Sequence, residues 1–504
     1  MRNELKMVGL WLGLAGAAVS AQAASPAGWV EARSAHFVVV SDGSAKDAAR
    51  VAEQFERMRM VFRALLPTPE AESALPVTVL AVKDRQGMRA VEPAAYLAGS
   101  QINVAGLFLR APDRNYILVR LDAQQAYAYG TVYHEYTHYM LRKADTWLPL
   151  WLNEGLAQFY ENTEIDGKRA WVGESDAAAV SLLRRSDLIP VETLLRVDAG
   201  SAYYHDEAKG SVFYAESWAL THFLMVSDRL EGTHRVREYV RRIEEGEDAV
   251  AAAGHAFGDL RKLQAGLEDY ILQRRFMYFM MPAQLDAKDA EVEVRVLNAA
   301  DADALRADVM MHTGRTSEAK ALVDEVLKAE PGNALAHETM GALRHRDGDM
   351  AGAKKWYGDA VALDPASYVA QFYYSVATLR VSGKDDVGIE SGLRTTMRLN
   401  PEFAAAYDAL AMVYAMRHQR LDEAHALDVR AIELEPGRLS FRLDCADVLA
   451  EQRQYTDALA VLEAAAHLAR TPEEKEATRS RMAWVEQTQM TAAVAGENRQ
   501  RFGQ

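Results

Sequence analysis

The chain has 504 residues, 49% of them apolar and 26% charged, with 57 basic against 72 acidic side chains and a formal charge of −15. This is globular usage, which excludes a fibrous or disordered protein, and the acidic balance disfavours sequence-independent nucleic-acid binding, whose affinity comes from Lys and Arg on phosphates. The single cysteine, Cys445, excludes an intrachain disulfide and a thiolate zinc knuckle.

Met1–Ala23 reads as a secretory signal peptide. Arg2 and Lys6 make a positive start, Met7–Val19 is an apolar run too short to span a bilayer, and Ala21-Gln22-Ala23 supplies a small-x-small cleavage pattern. Export to the periplasm or beyond is expected, without stable membrane insertion. From Trp29 to about Leu121, strand-like and helix-like segments alternate. Ala35–Val40 and Val77–Val82 are β-rich runs, and Ala45–Leu66 has apolar residues at helical spacing. Ile102–Arg110 and Tyr116–Leu121 are two strands joined across the turn formers Pro112, Asp113 and Asn115. From Gln124 to about Met281 the pattern is almost wholly helical, and residues 282–298 read as a polar linker, rich in Ala, Asp and Glu but with one alternating run at Glu291–Leu297.

After about Ala299 the text repeats. Pro331, Pro365, Pro401, Pro436 and Pro472 fall 34, 36, 35 and 36 residues apart. Ala319, Ala353 and Ala424 precede their prolines by twelve residues, and Ala360 and Ala431 by five. Ala307, Gly341 and Ala377 keep each first helix small where its partner must approach. In the third repeat Ile389 and Thr396 replace the two alanines, and the fifth carries Ala458 and Ala465. The segments AGAKKWYGDAVALDP and DEAHALDVRAIELEP resemble the second helix of tetratricopeptide repeats, and the period agrees. About five repeats are expected over 299–472, followed by a capping helix and tail over 473–504 that fades after about Val485. Cys445 falls in the first helix of the last repeat and is expected to be a small buried hydrophobe.

The chemistry is concentrated in Tyr127–Leu141, which contains His134-Glu135-Tyr136-Thr137-His138. On a helix, positions i and i+4 share one face, so both imidazoles can reach one metal ion. Glu135, rotated about 100° from His134, stands beside that ion and can take a proton from a bound water. After a break, WLPLWLNEGLA opens a second helix, with Pro149 suited to its first turn. Glu154 follows His138 after fifteen intervening residues, enough to finish one helix, turn, and return a carboxylate from an antiparallel neighbour. Two His and one Glu leave a fourth tetrahedral position open, the catalytic arrangement of zinc.

Together HEYTH and WLNEGLAQF resemble the gluzincin metallopeptidases, relatives of thermolysin and aminopeptidase N. They are most similar to peptidase-MA-like proteins that pair this domain with tetratricopeptide repeats. The resemblance implies an α+β domain over 29–281, a small mixed sheet plus a helical zinc-binding subdomain, followed by an all-α solenoid. It implies Zn2+ as cofactor, held by His134, His138 and Glu154, with Glu135 as general base. It also implies an edge strand that pairs with extended substrate, for which Ile102–Arg110 is the candidate. A downstream tyrosine for the oxyanion is implied as well: Tyr214 matches best, with Tyr203, Tyr204 and His205 as competitors. No G-x-M-E-N stretch precedes the zinc helix, which favours an endopeptidase. The His138-to-Glu154 interval is shorter than in thermolysin, and no acidic partner for the imidazoles is identifiable.

The expected function is an exported zinc-dependent peptidase acting on proteins or peptides, whose repeats recruit substrate or a protein partner. The alternative is a protein-binding scaffold with an idle zinc domain. Residues 282–504 carry about −10 of the formal charge, which makes a neutral or basic partner more plausible than an acidic one.

Overall fold

A computed structural model describes residues 28–502 apart from 66–74, 95–103, 112, 124, 144–147, 199–200, 202, 204–206, 287, 385 and 470. The expected leader, Met1–Ala23, lies outside the described residues, as do Tyr204 and His205. Chain order begins with β1 (Val30–Arg33), β2 (Phe37–Ser41), α1 (Ala45–Leu65), β3 (Val77–Val82), α2 (Arg85–Arg89), β4 (Gly106–Arg110) and β5 (Asn115–Arg120). It continues through α3 (Gln125–Lys143), α4 (Leu150–Glu161), β6 (Glu164–Ile165), β7 (Arg169–Val172), α5 (Ala177–Leu183), α6 (Val191–Leu194) and α7 (Glu207–Glu231). Then follow α8 (Arg235–Glu244), α9 (Ala249–Phe257), α10 (Leu260–Ile271), β8 (Phe279–Pro282) and β9 (Glu293–Val296).

Six strands make one mixed sheet in the order β4-β5-β3-β2-β1-β9, with β2, β3 and β5 parallel and the outer pairs antiparallel. Two differences from the sequence reading follow. The expected linker 282–298 contains β9, which pairs Val30↔Val296 and Arg33↔Glu293 with β1. The alternating run Glu291–Leu297 marks it in the sequence, but all four strand residues are exposed, as on an edge strand that buries little, so the stretch as a whole reads as polar linker. The stretch read as almost wholly helical holds β6, β7 and, at its end, β8, a second small sheet in that order. β8 closes that sheet from more than a hundred residues away, a long-range pairing that local periodicity does not encode.

The central strands of the large sheet, β2, β3 and β5, are buried on both faces, as their near-continuous apolar sequences require. Val39, Val79, Ala81, Ile117 and Val119 point into a core with Phe55 and Phe62 of α1 and Tyr133 and Tyr136 of α3. Their neighbours Val40, Leu80, Val82, Tyr116 and Leu118 point the other way, against Leu305, Val309 and Met340 of the solenoid. The helical repeats therefore complete the core of the α/β region instead of hanging from a tether.

The solenoid comprises five helix pairs: α11 (Ala299–His312) with α12 (Thr316–Ala329), α13 (Ala334–Arg346) with α14 (Met350–Leu363), α15 (Tyr368–Ser382) with α16 (Val387–Leu399), α17 (Ala404–Arg417) with α18 (Leu421–Leu434), and α19 (Leu439–Glu451) with α20 (Tyr455–Leu468). The alanine positions are buried, as are Ile389 and Thr396 in the third repeat. A Cβ on Gly341 would meet the Tyr357 ring at 2.8 Å, so the small residue is needed where the two helices cross. Cys445 is buried, and that burial pushes its thiol up to about 12, fitting a hydrophobe. The last helix, α21 (Pro472–Phe502), runs well beyond the expected fade at Val485 and packs Val485 against Leu449 and Leu462. The architecture is thus a mixed α/β region followed by a helical, tetratricopeptide-like solenoid.

Candidate metal centre

Helix α3 is amphipathic in an unusual way: one face is aromatic and the other carries imidazoles. Tyr129, Tyr133 and Tyr136 interlock with Phe55 and Phe62 at ring-centroid distances of 5.6–6.2 Å. The Tyr133 hydroxyl accepts a hydrogen bond from Gln54 Nε2 at 2.8 Å. With that face fixed, His134, Glu135 and His138 are half-buried on the opposite side, lining a cavity.

Helix α4 begins behind Pro149 and brings Glu154 to the same place. His134 Nε2 and His138 Nε2 lie 3.2 Å apart, and Glu154 Oε2 is 3.7 and 3.6 Å from them. A triangle of those sides has one point about 2.0 Å from all three atoms, the bond length of zinc to imidazole nitrogen and carboxylate oxygen. The donor set and its spacing therefore fit a zinc ion with an open fourth position.

Electrostatics agree with a cationic guest. Burial opposes charge on Glu154, but the two imidazoles outweigh it and hold the carboxyl down at about 2. Burial likewise disfavours the His134 cation, yet contact with Glu154 and Glu161 raises its pKa to about 9. A metal-free chain at neutral pH thus keeps a proton where a metal cation would sit.

Glu161 is the partner that sequence reading missed. Its Oε2 stands 3.1 Å from His134 Nδ1, leaving Nε2 to face the centre. It lies seven residues after Glu154, two turns along one helix face, and that spacing was the available signal. Gly130, one turn before His134, makes room: a Cβ there would lie 3.3 Å from the Glu161 carbonyl oxygen. Gly130 and His134 meet Glu161 while His138 meets Glu154, so α3 and α4 run antiparallel.

Helix α7 closes the third side. Gly155 lets it approach, since a Cβ at 155 would fall 2.1 Å from Thr221 Oγ1 and 2.4 Å from the Ser217 carbonyl oxygen. Tyr214, one turn before Ser217, is half-buried and lines the same cavity as His134, Glu135, His138 and Glu154. Tyr203 packs against the hydrophobic core and is not part of that lining. The expected edge strand is present as β4, residues 102–103 lying outside the described set. It packs Phe108 on Tyr139 at 5.7 Å, but among the described residues the cavity is lined by the turn that follows it, at Ala111, Asp113 and Arg114, and by Asn115 at the start of β5, and not by β4 itself.

A second His/acid group, His36, Glu56 and Asp289, brings three donors together. There both Glu56 oxygens are taken by His36, through its backbone N and its Nδ1, each at 2.8 Å. That group ties the β1–β2 turn to α1.

A family model described as "Protein of unknown function (DUF1570)" matches residues 128–244, which include α3 from its second turn, all of α4, and Tyr214. No curated protein matches the chain. Among solved structures the chain is similar to PilF of Pseudomonas aeruginosa, at 21% identity over 40% of this chain and 91% of that one, with a TM-score of 0.33. It is similar to YrrB, described as a TPR protein with an unusual peptide-binding site, at 16% identity over 35% and 90% of the two chains and a TM-score of 0.31. It is also similar to MamA, at 20% identity over 34% and 91%, with a TM-score of 0.30.

Proposed function

We propose that this chain is a zinc-dependent peptidase of the gluzincin kind whose repeats form part of the substrate cleft. The observation that carries the proposal is convergence: His134, His138 and Glu154 meet around one point, and Glu135 and Tyr214 line the same cavity. A zinc ion bound by those three residues would polarise a scissile carbonyl and lower the pKa of water at the open position towards about 7. Glu135 takes the proton of the attacking water on its carboxylate and later delivers it to the leaving amine. Tyr214 donates its hydroxyl hydrogen bond where negative charge develops on the carbonyl oxygen. Glu161 accepts from His134 Nδ1–H and so holds the imidazole's orientation.

The cavity supports a polymeric substrate. It occupies about 3030 Å³ and runs without interruption from the metal centre to the solenoid, where Glu338, Tyr368, Phe403, Arg438 and Arg442 line it. A small molecule needs roughly 300–1,000 Å³. Export to the periplasm or exterior belongs to the same proposal. Among the described residues no helix is long and apolar enough to cross a membrane.

Replacing Glu135 by Gln tests the reading. Peptide hydrolysis by the purified zinc-loaded protein should fall by at least about 10²–10⁴-fold, the usual contribution of a general base, with one zinc retained per chain. Unchanged turnover would remove Glu135 from the mechanism and the peptidase reading with it. A second reading, a protein-binding scaffold whose metal domain is idle, is favoured by the share of the cavity that belongs to the repeats. It predicts that partner capture persists in the Glu135→Gln form and that neither form cleaves what it captures.

A further inference from the structure

The chain as a whole is strongly acidic, yet one face of the α/β region is basic and apolar. After α10 the stretch from Leu272 to Leu285 carries Arg274 and Arg275 and no acidic residue. Arg184 and Arg185, just past α5, stand beside it, because the Arg184 guanidinium donates to the carbonyls of Ile271, at 3.0 Å, and Gln273. These four arginines, with Ser181 and Phe276, line a hollow of about 330 Å³. Among the described residues, Arg185, Arg274 and Arg275 form no ion pair. Asp176 accepts from Ala178 N at 2.7 Å as the cap of α5, and Glu174 and Asp187 make no ion pair with the arginines. Next to the hollow, Leu272, Met277, Tyr278 and Met280 are 67%, 51%, 48% and 63% exposed. The last of these belongs to β8, an edge of the small sheet.

We propose that this face docks on an anionic bilayer surface. The arginines would take lipid phosphates, and Leu272, Met277, Tyr278 and Met280 would enter the headgroup–acyl boundary. Three features favour a bilayer over a protein. Guanidinium forks match phosphate oxygens bidentately, and among the described residues none of the four is paired with a carboxylate, Arg184 donating only to backbone carbonyls. The exposed apolar side chains lie outside the hollow, which is small and mixed, with Ala177, Val180 and Phe276 beside the arginines, whereas an interface between proteins concentrates its energy in well-packed pockets that seat the anchor residues. A lipid boundary requires no such complementary shape, and amphipathic surfaces of basic and apolar residues bind it peripherally. Pro282 ends β8 without an N–H, which discourages strand addition to that edge.

The test is flotation of the full chain with vesicles of phosphatidylcholine, with and without phosphatidylglycerol. The wild type should float only with the anionic vesicles, and high salt should release it. Arg274→Gln with Arg275→Gln should weaken binding on the order of 25-fold, about fivefold for each arginine near a charged surface. Met277→Ser with Met280→Ser should weaken binding to the anionic vesicles at low salt, although it leaves every arginine in place. A variant with both arginines changed to Lys should retain most of the binding, and all variants should keep the wild-type thermal melt, since the residues are exposed. The proposal is overturned if the wild type ignores anionic vesicles or if the Gln pair floats as well as the wild type. It is equally overturned if inorganic phosphate or a polyglutamate peptide binds the face while vesicles do not. None of these outcomes depends on peptidase activity.

Discussion

The contact between Glu161 and His134 makes a prediction that separates a metal centre from an ordinary ion-pair cluster. Glu161→Gln keeps the side-chain shape but removes the charge 3.1 Å from His134 Nδ1. Loss of such an outer partner typically costs 10–100-fold in metal affinity. pH sets how much of that is visible. In the metal-free protein the His134 pKa is raised from 6.5 to about 9, so at pH 7 a proton must leave before zinc can bind. Wild-type affinity should therefore climb about tenfold per pH unit from pH 7 to about 9 and release about one proton per zinc. The Gln variant relaxes the His134 pKa towards its ordinary value and loses part of this slope. The deficit should thus be largest near pH 9, where neither protein pays for deprotonation, and should narrow towards pH 7. Competition with a chromophoric chelator across pH 6–9 measures both curves, and calorimetry in buffers of different ionisation enthalpy counts the protons. Affinity that is flat with pH, or equal for the two proteins at pH 9, would refute the reasoning. Stability of the metal-free chain runs the other way: the raised pKa favours folding fully below about pH 6.5, and that contribution is lost as pH rises through about 9.

Three further expectations concern stability. Gly155→Ala places a methyl 2.4 Å from a backbone oxygen of α7 and should destabilise by about 1–3 kcal/mol, read by urea denaturation, with zinc affinity falling because Glu154 is adjacent. Arg114→Met should cost about 3–5 kcal/mol, because it strips the cation from the buried carboxylates Asp308 and Glu338, which it joins from the β4–β5 turn; faster proteolysis between the α/β region and the repeats is the check. Asp428 is fully buried, neither of its carboxylate oxygens has a hydrogen-bond partner, and burial with neighbouring Asp408 raises it to about 9. A raised carboxyl lowers stability progressively as pH rises from about 4 to 9, so Asp428→Asn should stabilise the chain at pH 8 and change little at pH 4. A thermal melt that shifts equally at both values would argue against that assignment.

Much of the centre was legible because helices encode their own faces. His134 and His138 one turn apart, and Glu154 behind the Pro149 start signal, need only two helices to meet. The repeats were legible for a related reason: each stacks on its neighbour, so the small residues at Ala307, Gly341 and Ala377 recur at a fixed distance from the proline. Glu161 was hidden because a glutamate at a helix end is ordinarily solvated. Only the packing of Gly130 on its backbone brings it under His134. β8 was hidden because its residues, Phe-Met-Met-Pro, show no polar alternation to read, and β9 was read as linker because its alternating side chains are all exposed.

What sequence alone determined is the set of local units, namely the metal-binding pair of helices, the strand runs and five helix hairpins, since each is specified by periods of two, 3.6 and about 35 residues. What the tertiary structure decided is how those units share surfaces. The sheet has two apolar faces and the first helix of the α/β region can cover only one, so the repeats cover the other. That second packing seats the solenoid against the β4–β5 turn and makes one cavity of the metal centre and the repeats. Buried apolar surface on both sides of one sheet is a property of the assembled chain, and no segment carries it by itself.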